Sequence, residues 1–160
     1  MTSQKDDGST GYRYHRRSTR LSKHDYTRGI YFVTIRTQTH DPLFEIPQLR
    51  AILEETWQAL PQRFPGVTLD EFVIMPDHVH FILRLDGQGD NPPTLGRVVG
   101  AYKSLVMVAW IDYCKAAGIY AAGSFWLVRF VERVITNQQA LARIRQYIRD
   151  NPKNLATREY

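Results

Sequence analysis

The 160-residue chain has a single cysteine, Cys114, so it cannot form an internal disulfide. This usage is typical of proteins from reducing compartments. Long apolar runs are also missing. The longest run, LVMVAWI at 105–111, is far shorter than the roughly 20 residues that a membrane-spanning helix needs. The first residues, MTSQKDDGSTGYRYHRR, lack the apolar segment of a secretory signal. We therefore expect a cytoplasmic protein that does not enter a membrane.

The net charge of +5 is concentrated near the N-terminus. Residues 1–28 carry seven basic and three acidic side chains, whereas the rest of the chain carries 14 and 13. Two tyrosines stand among the arginines of YRYHRRSTRLSK, a composition suited to a polyanion whose bases can stack on aromatic rings. A solvated arm without a ligand is the alternative. We divide the chain into a basic arm (1–28), one folded domain (29–155) and a tail (156–160).

Periodicity predicts an alternation of strands and helices after the arm. Strands are expected at 29–38, 67–75, 78–85 and 124–135, and helices at 46–64, 94–117 and 136–151. Thr136 and Gln139 have the spacing of a capping box for the last helix, and Pro152 is expected to end it. The order β-α-β-β-α-β of the first six elements predicts an α+β, ferredoxin-like fold with an antiparallel four-stranded sheet, leaving one additional C-terminal helix.

Two histidines interrupt an otherwise apolar stretch, FVIMPDHVHFIL at 72–83. Because side chains alternate along a strand, His78 and His80 share one face, while the apolar residues between and after them share the other. The imidazoles are therefore expected on the face that the two main helices leave open. Two neutral imidazoles so placed can bind one divalent ion and leave positions for a third ligand and a substrate. The alternative is that both are ordinary polar residues of a half-exposed strand.

The last helix carries an apolar stripe of Leu141, Ile144 and Ile148. Tyr147 lies at the edge of this stripe, and Asn151 follows one turn later on the same side. A phenol with a pKa of about 10 is a poor nucleophile unless its electrophile is activated, as a metal ion and arginines can do. If the helix crosses the open sheet face, Tyr147 reaches a histidine-bound ion and the Asn151 carbonyl can be a third ligand. Otherwise Tyr147 is a boundary core residue and Asn151 a helix cap.

With these residues in place, the chain resembles the REP-associated tyrosine transposases, a branch of the HUH single-stranded-DNA nucleases. The resemblance covers residues 14–155 and rests on segments that occur in this order: HRRSTRL, DYTRGIYFVTIRTQ, FVIMPDHVHFIL, VVGAYKS, FWLVRF and IRQYIRDNP. It implies a metal-dependent endonuclease and strand transferase that cuts single-stranded DNA beside short palindromic hairpins. It also implies Mg²⁺ or Mn²⁺ as the cofactor.

The resemblance assigns roles to particular residues. It implies that His78 and His80 are metal ligands, that Asn151 is a third ligand, and that Tyr147 is the nucleophile that becomes joined to a 5′-phosphate. Together with the charge pattern, it predicts DNA contacts by Arg13, Arg16, Arg17, Arg20, Lys103, Ser104, Arg143 and Arg149.

The chain departs from the family pattern at three places. Asp77 stands where Asn is more frequent, Leu127 and Val128 replace polar residues, and VER at 131–133 replaces a frequent Tyr-Asp-His. These departures bear on DNA contacts of the last strand rather than on the catalytic residues.

Two other functions fit the residues. One is a non-catalytic module that binds single-stranded nucleic acid on its sheet. The other is a histidine phosphoesterase, although such enzymes usually carry two H-x-T/S motifs and this chain has one H-x-H. The sequence does not decide between a monomer and a homodimer, nor whether Tyr147 acts in its own subunit or in a partner's.

Overall fold

The computed structural model describes residues 21, 23–121 and 123–156, with side chains to residue 153. The elements in chain order are β1 (Arg28–Arg36), a 3-10 turn (Leu43–Glu45), α1 (Pro47–Arg63), β2 (Val67–Ile74), β3 (His78–Asp86), α2 (Leu95–Ala117), β4 (Val131–Ile135) and α3 (Gln138–Ala156). The four strands of this described part form one antiparallel sheet in the order β2-β3-β1-β4. The predicted ferredoxin-like α+β fold is confirmed.

The sheet buries both of its faces, but against different helices. On one face, alternate residues of β3 pack against α1 and α2; this larger core includes Val79, Phe81, Leu83, Leu53, Trp57 and Tyr102. On the other face, α3 buries Leu141 and Ile148 against Ile82 and Ile135. The expected division of β3 is therefore confirmed, with the histidines on the face that receives α3. No helix among the described residues is both long and apolar enough to cross a membrane.

The reversal between β2 and β3 is tight, as the sequence Met75-Pro76-Asp77 predicts. The backbone N–H of Met75 donates to the carbonyl of His78 (2.8 Å), and the carbonyl of Pro76 accepts from the N–H of Phe44 (2.9 Å). Proline fixes the backbone dihedral φ and aspartate favours turns. The turn therefore makes His78 the first residue of β3 and puts Asp77 directly beside it.

The prediction of a strand over 124–135 is wrong for its first half. Only Val131–Ile135 is β4, and the preceding segment has just an isolated bridge between Thr37 and Trp126. Phe125 and Trp126 both pack against Phe44, so two consecutive side chains turn to the same core and the alternation of a strand is lost.

The last helix begins and ends later than predicted. Asn137 rather than Thr136 caps its start, because the Oδ1 of Asn137 accepts a hydrogen bond from the N–H of Ala140 (2.8 Å). The expected stop at Pro152 is wrong, since α3 continues to Ala156. Proline lacks the N–H that would bond to the carbonyl four residues earlier, but the helix tolerates that loss here.

Candidate active site

β3 places the two histidines side by side. The Nε2 atoms of His78 and His80 are 3.1 Å apart, and the ring centroids are 4.6 Å apart. His80 is only 5% exposed, whereas His78 at the start of the strand is partly exposed. The prediction that both imidazoles share one face is confirmed.

Each histidine is held by a hydrogen bond at its other ring nitrogen. The Nδ1 of His78 lies 2.6 Å from the Oδ1 of Asp77, and the Nδ1 of His80 lies 2.8 Å from the hydroxyl of Thr34 on β1. An ionised carboxylate only accepts hydrogen bonds, so the Nδ1 of His78 carries the proton and its Nε2 presents a lone pair. Burial raises the pKa of Asp77, but hydrogen bonds from His78 and His40 outweigh it and keep this pKa below its ordinary value.

The environment keeps His80 neutral at physiological pH. Burial lowers its pKa to about 4, and the positive charge of Arg36 acts in the same direction. Arg36 is paired with His78 across β1 and β3. A neutral imidazole is the form that binds metal ions.

α3 brings Tyr147 to the histidines. The ring centroid of Tyr147 is 5.7 Å from that of His80 and 6.1 Å from that of Phe32, in edge-on arrangements. The residue is 49% exposed, although its helix neighbour Ile148 is buried. The phenol therefore borders the imidazole pair of its own chain and remains accessible to a ligand from solvent.

The two histidines fit as ligands of one divalent ion. Ligand nitrogens lie about 2.1 Å from such an ion, so two of them in neighbouring positions are roughly 3.0–3.4 Å apart, and the two Nε2 atoms are 3.1 Å apart. Among the described residues, no group of three or more His, Cys, Asp or Glu side chains could hold a metal. A third ligand from the described part of the chain would therefore be of another type.

Asn151 has the carbonyl oxygen required of such a ligand, but its amide is engaged in α3. The Nδ2 of Asn151 donates to the backbone carbonyl of Tyr147 (2.8 Å). This bond ties the orientation of the amide to the helix turn that carries the tyrosine. The role of Asn151 as a metal ligand stays a prediction.

The predicted DNA-binding arginines of α3 have different surroundings. Arg143 is exposed. Arg149 is paired with Glu71 on β2: its Nε donates to Oε1 (2.8 Å). Arg145, also on this helix, is paired in turn with Asp70 of β2. Part of the positive charge near Tyr147 is thus already balanced by acids of the sheet.

The other predicted DNA contacts lie elsewhere. The Nζ of Lys103 on α2 donates to the carbonyls of Leu127 (2.7 Å) and Val128 (3.2 Å), while Ser104 is exposed. Arg13, Arg16, Arg17 and Arg20 lie outside the described residues. The structure thus brings together His78, His80 and Tyr147, and gives Lys103 a structural partner.

Sequence reasoning missed residues from β1 and β4. Thr34 is bonded to His80, and Arg133 is paired with Phe32, whose ring stacks near His80 at 5.3 Å. Alternation therefore puts Arg133 on the histidine face, where it is exposed. The same alternation along the first strand could have identified Thr34, Phe32 and Arg36 as one face, but only the strand pairing shows that this face meets the histidines.

No protein-family model matches the chain. An uncharacterised protein of Haemophilus influenzae is 29% identical over 166 residues, which cover 87% of this chain and 89% of that protein.

Two solved structures have a fold similar to that of this chain. A REP-associated tyrosine transposase bound to a REP hairpin superposes with a TM-score of 0.59 at 19% identity, over 84% of this chain and 73% of that chain. A candidate transposase from Deinococcus radiodurans R1 superposes with a TM-score of 0.51 at 18% identity, over 82% and 95%. Both share this fold.

Proposed function

We propose that this chain is a transposase-like, metal-dependent nuclease and strand transferase acting on single-stranded DNA, with Tyr147 as the nucleophile. The observation that carries the proposal is a half-exposed phenol beside two histidines whose Nε2 atoms converge. The fold is shared with two structures described as transposases, one of them bound to a REP hairpin. Single-stranded DNA that contains a hairpin is therefore the substrate that we propose.

Mg²⁺ or Mn²⁺ would be held by the Nε2 atoms of His78 and His80, with Asn151 as the candidate third ligand. When bound, such an ion supplies Lewis-acid polarisation of a phosphoryl oxygen. Asp77 and Thr34 bond the Nδ1 atoms, so the two Nε2 atoms are the nitrogens left for an ion, which would replace the 3.1 Å hydrogen bond that joins them.

In the proposed reaction the Tyr147 oxygen attacks the scissile phosphorus. A bond forms between the phenolic oxygen and phosphorus, and the bond from phosphorus to the 3′-oxygen breaks. The phenol proton passes to solvent, which reaches the half-exposed ring, and the 3′-oxygen leaves as a hydroxyl. The DNA beyond the cut stays joined to the protein as a 5′-phosphotyrosine. Because this ester conserves the phosphodiester bond, a 3′-hydroxyl can reverse the step and join strands.

Two exposed arginines lie on the sheet face that carries this site. α3 begins two residues after β4 and is joined to β2 by its two ion pairs. The part of the same sheet face beside α3 carries Arg36 and Arg133, which are both exposed. Phosphate contacts from such arginines bind a nucleic-acid strand independently of sequence. We propose that they hold the strand that continues from the scissile phosphate.

The test uses hairpin oligonucleotides labelled at the 5′ or 3′ end, drawn from the DNA that flanks the gene. The protein is incubated with Mg²⁺, Mn²⁺ or EDTA, and denaturing gels resolve protein–DNA adducts. We expect a metal-dependent adduct that retains the 3′ label. Tyr147→Phe should lose it, and His80→Ala should lose it while still binding the hairpin. Tyr120→Phe, which alters a tyrosine that is 89% exposed on the loop after α2, is the matched control and should react like wild type.

Tight hairpin binding without an adduct under every metal condition would overturn the nuclease proposal. That result would favour the non-catalytic module, in which the histidines are ordinary strand residues. An adduct that persists in Tyr147→Phe would keep the nuclease but exclude this nucleophile.

A further inference from the structure

The helix that carries Tyr147 packs on the sheet through an apolar contact. The buried part of this contact consists of Leu141 and Ile148 against Ile82 and Ile135. Aliphatic contacts are not directional, so they select which face of α3 is buried but define its rotation and axial position only weakly. A nucleophile needs a position defined to about 1 Å. Directional contacts between α3 and the sheet would supply that definition.

A bulge in β2 presents two acids to this helix. Leu69 is paired with Leu83 and Phe72 with Phe81, so Asp70 and Glu71 together stand opposite the single residue between those two partners on β3. In a regular strand two consecutive side chains would point to opposite faces. A bulge inserts one extra residue and redirects side chains, and here both carboxylates reach α3.

Two arginines of α3, one helical turn apart, pair with these acids. Arg145 and Arg149 have the i, i+4 spacing that puts side chains on the same side of a helix. The Nε and Nη2 of Arg145 donate to the two oxygens of Asp70 at 3.0 and 2.6 Å, and the Nε and Nη2 of Arg149 both donate to the Oε1 of Glu71. A planar guanidinium bonded through two nitrogens fixes direction as well as distance.

Tyr147 is midway between the two arginines in sequence. At about 100° per residue it points some 200° away from Arg145, to the opposite flank of α3. That flank faces Phe32 and His80. A rotation of the helix would break both ion pairs, and an axial slide by one turn would leave one arginine without its acid. Either movement would carry the phenol away from the histidines.

We propose that Asp70 and Glu71 are positioning residues that clamp Arg145 and Arg149 and thereby hold Tyr147 against His80 of the same chain. This inference rests on the proposed function for its catalytic consequence. It also reassigns Arg149: the arginine that the sequence suggested for DNA is engaged by Glu71. Removing the two acids should therefore release cations toward DNA while it loosens the nucleophile.

The experiment compares wild type with the double variant Asp70→Asn/Glu71→Gln, which removes both charges and keeps the side-chain shapes. The control is Glu54→Gln/Glu55→Gln, which changes net charge equally at two exposed residues of α1, on the other face of the sheet. We measure hairpin affinity and the rate of adduct formation at saturating DNA. The bulge variant should bind DNA more tightly yet form the adduct roughly 10- to 100-fold more slowly. The control should keep the wild-type rate.

Two further measurements separate positioning from folding and from the proposed function. Exposed ion pairs add little global stability, so the urea midpoint should change little, whereas the amides of α3 should exchange about fivefold faster or more while those of β3 stay protected. The exchanged pair Asp70→Arg/Arg145→Asp should recover rate and protection relative to Asp70→Arg alone.

An unchanged exchange rate in α3, or an adduct rate that rises in step with affinity, would overturn the positioning role. If wild type forms no adduct with any metal, the proposed function fails. Hydrogen exchange in the same variants would still decide whether the bulge acids hold the helix.

Discussion

The Oδ1 of Asp77 lies 2.6 Å from the Nδ1 of His78, and the Oδ2 of the same carboxylate lies 3.3 Å from the Nδ1 of His40. The bond to His78 fixes which ring nitrogen carries the proton and turns the other nitrogen toward His80. This hydrogen bond requires that residue 77 have a short side chain that ends in an acceptor oxygen. The amide of asparagine, the more frequent residue at this position in the family that the chain resembles, has one as well.

Asp77→Ala should therefore weaken the metal binding that we propose for His78 and His80, and Asp77→Asn should largely preserve it. Loss of a group that orients a metal-bound histidine typically costs 10- to 100-fold in affinity, about the size that we expect for alanine. For asparagine we expect a change of about threefold at most, because its carbonyl can accept the same bond. Isothermal titration with Mn²⁺ measures both. Equal losses in the two variants would show that the negative charge, rather than the orientation, supports the site.

Protonation of His80 should destabilise the fold in mild acid. The pKa of His80 is about 4 in the folded chain because of burial first and neighbouring positive charge second, against about 6.5 in an unfolded chain. Between these values the unfolded state binds more protons, so the contribution is fully present above pH 6.5 and is lost as the pH falls toward 4. The free energy of unfolding lost through protonation of His80 amounts to about 3 kcal/mol.

Urea unfolding at pH 7.5, 6 and 5 measures how the free energy of unfolding depends on pH. His80→Gln should flatten the dependence of the free energy of unfolding on pH. His40→Gln, at a side chain that is 95% exposed, should leave it as in wild type. A wild-type free energy that stays constant from pH 7.5 to 5 would contradict the prediction.

The site could be predicted where local periodicity determines it. Alternation along β3 puts His78 and His80 on one face, and the apolar stripe of α3 puts Tyr147 at the edge of its buried side. Once the element order gave a ferredoxin-like sheet, the only additional step was that the last helix crosses its open face. That step is the packing of Ile148 against Ile82.

The parts that the sequence did not reveal depend on partners far away in the chain. Arg145 and Arg149 look like free cations on an amphipathic helix, but their acids lie 75 and 78 residues earlier and meet them only because of a bulge in β2. The segment before β4 has the composition of a strand, yet Trp126 is drawn into the core and its indole donates to the carbonyl of Lys103 (3.1 Å). Neither contact leaves a periodic signal.

Arg133 should contribute to DNA binding without taking part in the chemistry. It is exposed on the histidine face of β4, opposite Phe32. Arg133→Gln should weaken binding of single-stranded DNA and lower the slope of log affinity against log salt by about one ion. The rate of adduct formation at saturating DNA should stay within about twofold.

The control for Arg133 is Arg97→Gln, at an exposed residue in the first turn of α2, the helix on the other face of the sheet. It removes the same charge and should leave the salt slope near that of wild type. Equal changes in the two variants would mean that net charge, rather than this strand, governs binding.

Lys103 should matter for stability rather than for DNA, in contrast to its predicted role. Its ammonium donates to the carbonyls of Leu127 and Val128, and burial lowers its pKa. Lys103→Met keeps the aliphatic stem but leaves both carbonyls without this donor, so the free energy of unfolding should fall by about 1–3 kcal/mol. Hairpin affinity should stay within about twofold.

Ser104→Ala alters the exposed neighbour of Lys103 in the same VVGAYKS segment and should change stability by no more than about 0.5 kcal/mol. Urea unfolding and hairpin titration of both variants distinguish the two roles of the lysine. If the Lys103→Met protein had wild-type stability and a hairpin affinity reduced tenfold, the result would contradict this prediction and support a DNA contact by Lys103. The ammonium would then have to exchange its two backbone carbonyls for a phosphate, and the segment before β4 would have to remain in place without it.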